Sequence, residues 1–509
     1  LPSSASSLSS LHPHRPTAAA AASSTAMWRD EGIEDEETLS AFLEASRTRE
    51  GRAALSDALA DTLHLLPASP APLLLLRLRL LRNLLAGDAL NQGTFVLLSG
   101  PAAVVSAALS IPALSPDLAR AALQALGNAA LGGDRHREAV WDALFPGALR
   151  EFARVRDAGV LDPLCMVLDT CCSGDGGHGR VEELCHEDLG LPVLVELVAT
   201  ASRCEPTPAA AVGHKEEWLE WLLFKICVEE EKFETLFAAL GSTDGGESGN
   251  EFSAKHAFLM GTLSKCLTER PEEVSISNSF ALHVFNILKH AAETLDFTCR
   301  GSSALPTGCP GIDVLGYSLV LLKDICAWEP SSSETEAPVD SLLQAEPSSS
   351  GTEAPVDSLL QAGLVKRLLK YLGELEPPST IRKAMAKEQG DQQPALATAK
   401  VCPYNGYRRD LVAVIANCLH GRKQVQDEVR QLNGIMLLLQ QCVIDEGNAY
   451  LREWGLLAVR YLLEENEENQ KEVSELQMQE PILTPEVAEL GLRVEIDKKT
   501  GHPKLVNSS

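Results

Sequence analysis

The chain has 509 residues, 45% of them apolar and 5% aromatic, with 44 Lys and Arg against 71 Asp and Glu and a formal net charge of -27. That is a globular composition with an acidic surface, and it excludes sequence-independent binding to DNA or RNA, whose affinity comes from Lys and Arg neutralising phosphates. The 13 cysteines, an odd number scattered through apolar segments, read as reduced thiols of a cytosolic protein, and no apolar run reaches the ~18 residues of a membrane helix.

Residues 1–38 read as a flexible leader, rich in Ser, Ala and Pro, with no acid before Met27 and Arg15 as the only Lys or Arg up to that point. Organelle transit peptides are Arg-rich, so one arginine argues against that address. From residue 39 to about 480 the chain is a succession of segments with apolar residues at i, i+3, i+4 and i+7, separated by Gly, Asp, Asn or Pro. These predict amphipathic helices and an all-α body. Residues 39–328 form a first run of such segments. Glu329-Pro-Ser-Ser-Ser-Glu-Thr-Glu-Ala-Pro-Val-Asp-Ser-Leu-Leu-Gln-Ala345 then recurs as residues 346–362, with Gly351 in place of Glu334. The first copy reads as surplus loop, so that 329–352 is a duplicated low-complexity loop. The second copy enters the next helix through Ser358-Leu-Leu-Gln361, a capping pattern. A second helical run covers 353–480, broken by a polar connection at 376–406 that is not expected to fold. In the tail, 481–509, Val494-Glu-Ile-Asp and Lys504-Leu-Val flank a turn and predict a hairpin.

The helical body repeats. Leu80-Leu-Arg-Asn-Leu-Leu-Ala-Gly87 with Asn91-Gln92 and Phe95 reappears without a gap as Val459-Arg-Tyr-Leu-Leu463 with Asn469-Gln470 and Val473. Leu123-Gln-Ala-Leu-Gly-Asn-Ala-Ala-Leu-Gly132 and Val412-Ala-Val-Ile-Ala-Asn-Cys-Leu-His-Gly421 share one skeleton around Asn128 and Asn417. Looser copies set Thr170, Lys225, Lys265 and Asp324 in the same frame. The steps are 45 residues from Asn83 to Asn128, 42 from Asn128 to Thr170 and 44 from Asn417 to Tyr461, inside the ~40 to 47 residue window of armadillo and HEAT arrays. Gly100, Gly190, Gly363 and Gly434 each precede an apolar helix and predict a sharp bend between two helices. Each unit is therefore a short first helix, a glycine turn, an apolar second helix and a longer third helix. The expected fold is an all-α, armadillo-like α-solenoid of about eight to ten three-helix repeats.

In such arrays the third helices line a groove, so Asn83, Asn128, Thr170, Lys225, Lys265, Asp324, Asn417 and Tyr461 form a candidate partner-binding ladder. An Asn amide offers donor and acceptor to an extended backbone. The other reading is that each side chain only satisfies neighbouring helix ends. Importin-like arrays carry Trp four residues before this Asn, where Arg79, Gln124 and Ala413 stand here, which disfavours capture of basic import signals. Trp218 and Trp221 flank the acidic segment Glu216-Glu-Trp-Leu-Glu-Trp-Leu-Leu-Phe224, where aromatics beside charge can anchor a partner, but at helical spacing Trp221 with Leu219 and Leu222 reads as core.

Nothing announces catalysis. Gly174-Asp-Gly-Gly-His-Gly179 has the spacing of a dinucleotide loop but follows a helix, where that chemistry needs a strand. Cys165, Cys171, Cys172, Cys185 and His186 contain no Cys-x2-Cys pair, so a closed zinc site is not indicated. His186-Glu187 lacks a second His, and neither a phosphate-binding lysine loop nor a nucleophile elbow is present. No cofactor or metal is implied.

Ile415-Ala-Asn-Cys418, Gln424-Val-Gln-Asp-Glu-Val429, Gly434-Ile-Met-Leu-Leu-Leu-Gln440, Asp445-Glu-Gly-Asn448, Arg452-Glu-Trp454 and Glu468-Asn-Gln470 together resemble the C-terminal domain of the ataxin-10 family over Arg409 to Leu476. Leu43-Glu-Ala-Ser-Arg-Thr-Arg-Glu-Gly51, Leu81-Arg-Asn-Leu84 and Leu305-Pro-Thr-Gly-Cys-Pro-Gly-Ile-Asp-Val-Leu-Gly-Tyr317 look like plant members. The family tends to show Asn-Pro-Phe before Arg-Glu-Trp and Arg-Asn after it, whereas Asn448-Ala-Tyr450 and Arg460-Tyr461 stand here. The resemblance implies a cytoplasmic scaffold without enzymatic activity, associated in animal relatives with cytokinesis, cell survival and signalling. Its partners are other proteins, not nucleic acid or membrane, and self-association stays open. A transport receptor or regulatory subunit is the alternative, and a nucleotide- or zinc-dependent enzyme the weakest reading.

Overall fold

The computed structural model describes residues 35–203, 218–241, 252–269, 275–298, 300–327, 354–389, 399–476, 492–496 and 503–507. The chain divides into two compact units, residues 1–245 and 246–509. The division falls inside the run 39–328, within Gly241-Ser-Thr-Asp-Gly-Gly-Glu-Ser-Gly-Asn250, a stretch without one apolar side chain to bury. Most of the leader, and the first copy of the duplicated segment, lie outside the described residues.

Unit one contains α1 (Glu36–Ala45), α2 (Arg49–Ala54), α3 (Ala58–Leu65), α4 (Ala71–Leu85), α5 (Ala89–Leu97), α6 (Gly100–Leu109), α7 (Pro116–Ala130), α8 (Asp134–Leu144), α9 (Gly147–Ala153), α10 (Ala158–Cys171), α11 (Gly177–Leu184), α12 (Leu191–Arg203), α13 (Trp218–Phe224) and α14 (Phe233–Gly241). A π-turn, Lys225–Glu229, continues α13. The longer helices α1, α4, α7, α10 and α13 stack on one another in that order, with the shorter pairs alongside. The pattern of α7 explains this local choice. Ser115 caps its start by accepting from the Leu118 N–H (3.4 Å), and Pro116 occupies the first turn, where a missing N–H costs nothing. Leu118, Ala122, Leu123 and Leu126 are buried, while Asp117, Arg120, Gln124 and Asn128 form the opposite stripe. Burying each Leu contributes about 1.5–3 kcal/mol. At the other end of the unit α1 starts inside the expected leader, where Asp35 accepts from the Thr38 N–H (2.8 Å).

Unit two contains α15 (Ala254–Glu269), α16 (Asn278–Thr294), α17 (Pro310–Ala327), α18 (Pro355–Gln361), α19 (Leu364–Glu374), α20 (Ser379–Gln389), α21 (Tyr407–Leu419), α22 (Lys423–Gln431), α23 (Gly434–Leu439), α24 (Leu451–Leu463) and α25 (Glu467–Glu475). Here α15 packs on α17, α17 on α21, and α21 on α24. Strands β1 (Leu492–Ile496) and β2 (Pro503–Asn507) pair antiparallel, with Val494 opposite Leu505. Apart from this terminal hairpin, each unit is thus an all-α, armadillo-like stack, the fold class that the sequence predicts. Among the described residues no single helix is long and apolar enough to cross a membrane; α5 and α6 qualify by composition only as a pair bent by 71°.

The bend glycines work by close approach more than by backbone freedom. A Cβ on Gly100 would sit 2.3 Å from the Phe95 ring, on Gly190 2.4 Å from the Leu184 carbonyl oxygen, and on Gly434 2.8 Å from Val429 Cγ1. The left-handed residue is Ser99 (φ 56°) or Asn433 (φ 56°), one position earlier. Only Gly363 of the four carries the positive φ itself (83°).

Three local expectations are corrected. The helix entering at the second duplicated copy starts at Pro355, not at a Ser358 cap, because proline's fixed φ presets the first turn. The polar connection 376–406 is in part ordered. It holds α20, and Lys400 pairs with Leu375 as a parallel bridge. Cys402 and Tyr404 are buried, and the Tyr404 hydroxyl donates to Asp410 Oδ2 (2.8 Å). Tertiary anchors, invisible in a polar composition, hold it. Trp221 is 47% exposed rather than core, since Leu219, Leu222 and Leu223 already fill the inward face of α13.

Candidate functional site: the third-helix ladder

All eight predicted ladder residues are described, and seven of them are half-buried, Thr170 being buried. Asn128 Nδ2 donates to the Arg82 carbonyl (2.8 Å), Lys225 Nζ to the Asp169 carbonyl (3.2 Å) and Asn417 Nδ2 to the Lys323 carbonyl (2.9 Å). In each case the acceptor is the residue just before the ladder position of the preceding third helix. Carbonyls near helix C-termini have spare acceptor capacity, and at these three steps a side chain of the next third helix supplies the donor. Asn83 Nδ2 makes the corresponding bond at the start of unit one, to Ser46 Oγ (3.0 Å). Asp324 instead accepts from Thr268 Oγ1 (2.7 Å), one turn after Lys265 on α15. Thr170 turns inward onto its own Met166 carbonyl (2.7 Å), and Tyr461 leans on His420 with ring centroids 4.6 Å apart.

The ladder is therefore also a set of staples between repeats; the Asn83 amide is further engaged, its carbonyl oxygen accepting from Arg82. Lys225 is further fixed by Asp169 Oδ1 (2.6 Å) and Ser173 Oγ (2.7 Å). Because the staples lock the third helices level with one another, residues three, four and seven positions earlier share the ladder face. On that face stand Arg79 before Asn83, Gln124 before Asn128, Met166 before Thr170, and Trp221 before Lys225.

A second set of bonds, which the sequence carried as Asn91-Gln92 and Asn469-Gln470, caps the same helix ends. Asn91 and Gln92 donate to the Leu84 and Leu85 carbonyls (both 3.0 Å). Asn469 and Gln470 donate to the Leu462 and Leu463 carbonyls (2.9 and 2.8 Å). Gln92 also reaches the Asn128 carbonyl (2.8 Å), and Gln426 the Tyr461 carbonyl (2.8 Å). Gln426 was missed by the sequence reading; its position nine residues after Asn417, matching Gln92 after Asn83, was the available signal.

Arg82 is the other residue not foreseen. Its Nε and Nη2 donate to Asn83 Oδ1 (3.1 and 3.0 Å), and its Nη1 to Gln124 Oε1 (3.0 Å). Burial, followed by the nearby charges of Arg79 and Arg47, pulls its pKa below the usual arginine value.

The Asp445-Glu-Gly-Asn448 motif has a structural task. Asn448 Oδ1 accepts the Arg408 and Arg409 backbone N–H groups (3.1 and 3.3 Å), fixing the start of α21. Asp445 lies 3.5 Å from Arg408 Nε and accepts the Ser379 N–H (2.7 Å), which docks α20. Arg408 also donates to Gln441 Oε1 (3.3 Å) and to the Glu376 carbonyl. A cleft of about 610 Å³ beside this network is bordered by Glu374, Lys400, Arg408 and Gln441.

The candidates for reactive chemistry fall elsewhere. Gly174 to Gly179 join α10 to α11, helix to helix. Burial raises the thiols of Cys165, Cys171, Cys172 and Cys185, Cys171 and Cys185 to about 12, so they stay protonated at neutral pH and are poor nucleophiles and ligands. Among the described residues no three His, Cys, Asp or Glu side chains converge as a metal site.

Residues 407–506 match the family model described as the Spinocerebellar ataxia type 10 protein domain. Over 89 residues the chain is 35% identical to a Dictyostelium discoideum ataxin-10 homolog, a match covering 18% of this chain and 15% of the relative. It is 33% identical over 90 residues to Xenopus tropicalis ataxin-10, covering 18% and 19%, and 36% identical over 75 residues to the human protein, covering 15% and 16%. The matched stretch thus spans less than a quarter of each of these relatives. Among solved structures, a designed armadillo repeat protein aligns over 79% of this chain and 99% of its own at 12% identity and a TM-score of 0.21. An engineered protein aligns over 87% and 98% at 16% identity and a TM-score of 0.31. Residues 407–506 therefore carry a domain that this chain shares with the ataxin-10 homologs it matches.

Proposed function

We propose that the chain is a non-catalytic scaffold whose ladder face binds extended segments of partner proteins in the cytosol, in cell division or signalling. The observation that carries this reading is the repeated bond from Asn128, Lys225 and Asn417 to the preceding third helix. Within each unit it holds neighbouring third helices in register, so that successive repeats of that unit offer equivalent, preorganised sets of side chains to an extended ligand. The buried, protonated cysteines support the non-catalytic half of the reading. Proximity labelling in cells compares the wild type with an Asn83→Ala, Asn128→Ala, Asn417→Ala variant, with thermal melting of both as the folding control. A defined set of proteins lost from a variant that still melts cooperatively supports the ladder as the binding face. An identical set from both chains moves recognition off the ladder.

A further inference from the structure

With a net charge of -27, a cationic patch on this chain is a local construction rather than an average property. One exists at the start of unit one. The bond from Asn83 to Ser46 brings the α1–α2 corner, with Arg47 and Arg52, beside the end of α4, which carries Arg79 and Arg82 one turn apart. Arg52 reaches only the Ser46 and Arg47 carbonyls (3.4 Å each), and Arg82 only the neutral amides of Asn83 and Gln124. Among the described residues Arg79 and Arg82 have no carboxylate partner, although 71 acidic residues were available to supply one. Arg47 is paired with Glu44 (3.0 Å), where both side chains are mostly exposed.

This arrangement costs the free protein something. Gathering like charges in a half-buried setting is unfavourable, and the depressed pKa of Arg82 reflects that setting. The amides orient the Arg82 guanidinium without neutralising it. Three of its five N–H groups are engaged, which leaves two on a fixed planar fork of the kind that matches a carboxylate. The fork stands on the ladder face, one step from Gln124 and Asn128.

We propose that the Arg79 and Arg82 cluster docks an acidic segment of a partner protein, Asp or Glu carboxylates taking the two guanidinium groups while the segment runs along Gln124 and Asn128. This rests on the scaffold reading and names the chemistry of its partner at one end of the ladder. At ordinary salt the attraction of the patch reaches only about 10 Å, so it acts on carboxylates placed directly at these arginines.

The test uses the full chain and a fluorescein-labelled deca-glutamate peptide, with deca-glutamine and a short single-stranded DNA as comparisons, read by anisotropy. Deca-glutamate is expected to bind, to weaken as salt is raised, and to lose at least about tenfold in affinity in the Arg79→Gln, Arg82→Gln double variant. Arg82→Lys, which keeps the charge and loses the fork, should fall between. Arg154→Gln, at an exposed pair with Glu151, should change nothing. A melting temperature in the double variant equal to or above that of the wild type separates a docking role from a structural one. The proposal is overturned if deca-glutamate binds no better than deca-glutamine, or binds the double variant equally well. It is also overturned if the DNA binds through the same arginines more tightly, or if sedimentation shows that they serve salt-sensitive self-association instead. Absent deca-glutamate binding, with partners still lost from the ladder variant in cells, removes this inference and leaves the scaffold reading standing.

Discussion

Two arginines, Arg82 in unit one, half-buried, and Arg408 in unit two, buried, are both drawn out of water and sit in opposite surroundings by charge. At both, burial is the first cause pulling the pKa down. Around Arg408, Asp445 and Cys402 push back, and Gln441 and the Glu376 carbonyl take its N–H groups. Around Arg82 the next contributions are Arg79 and Arg47, which add to the penalty. A desolvated charge matched by its own chain belongs to the architecture. One left unmatched by its own chain is where an outside group of opposite sign has most to gain.

The comparison can be broken most forcefully at Arg408. It is 2% exposed, so Arg408→Ala strands Asp445 and opens the contact between α20, α21 and the 445–448 loop. The expected loss is about 3–5 kcal/mol in the unit-two transition under urea. A loss below about 1 kcal/mol would show that the network is not structural. Next in size is Gly100→Ala, where the new Cβ meets the Phe95 ring at 2.3 Å. Overpacking there should cost about 1–3 kcal/mol in unit one and leave unit two unchanged. Asn128→Ala and Asn417→Ala each remove one staple and should each cost about 1 kcal/mol, measured by the same titration. Unequal costs would mean that the two units use the ladder differently.

A pH experiment sharpens the unit-two side. Burial raises the Asp410 carboxyl above its ordinary value of 3.8, against the opposing pull of Arg409 and the Tyr404 hydroxyl. The stability tied to its protonated form is therefore present below pH 3.8 and is lost as the pH rises through the higher folded-state value. Wild-type stability should fall relative to Asp410→Asn as the pH rises above 3.8; a difference that does not change with pH there removes Asp410 as the source. The smallest expected effect is at Arg79. Arg79→Gln should leave stability within about 0.5 kcal/mol of wild type, or raise it, because it removes a like charge from Arg82. A clear loss there would make the arginine cluster structural and erase the contrast with Arg408.

The repeat frame was legible because it recurs. Asn83, Asn128 and Asn417 share a skeleton whose purpose, one bond per step to the helix before, is the same in both units. Asn91-Gln92 and Asn469-Gln470 were legible as a repeat, while their role as caps on carbonyls seven residues back appears only in three dimensions. The ordered ends of 376–406 were hidden for a different reason. Their polar residues suggest a loop, and the anchors that fix them, Phe297, Asp445 and Arg300, lie far away in sequence. Trp221 was misplaced because helical spacing gives an amphipathic stripe without saying how wide the buried part of it is.

The sequence by itself determined the elements, their period, the glycine corners and the family of the C-terminal domain, all properties of local pattern and recurrence. Tertiary structure decided which polar side chains are consumed. Whether an Asn amide is spent on the previous helix, whether Arg408 meets a carboxylate and Arg82 does not, and which face of α13 stays open all depend on what the neighbouring repeat brings within about 3 Å. That is a distance across helices, and periodicity along one helix carries no information about it.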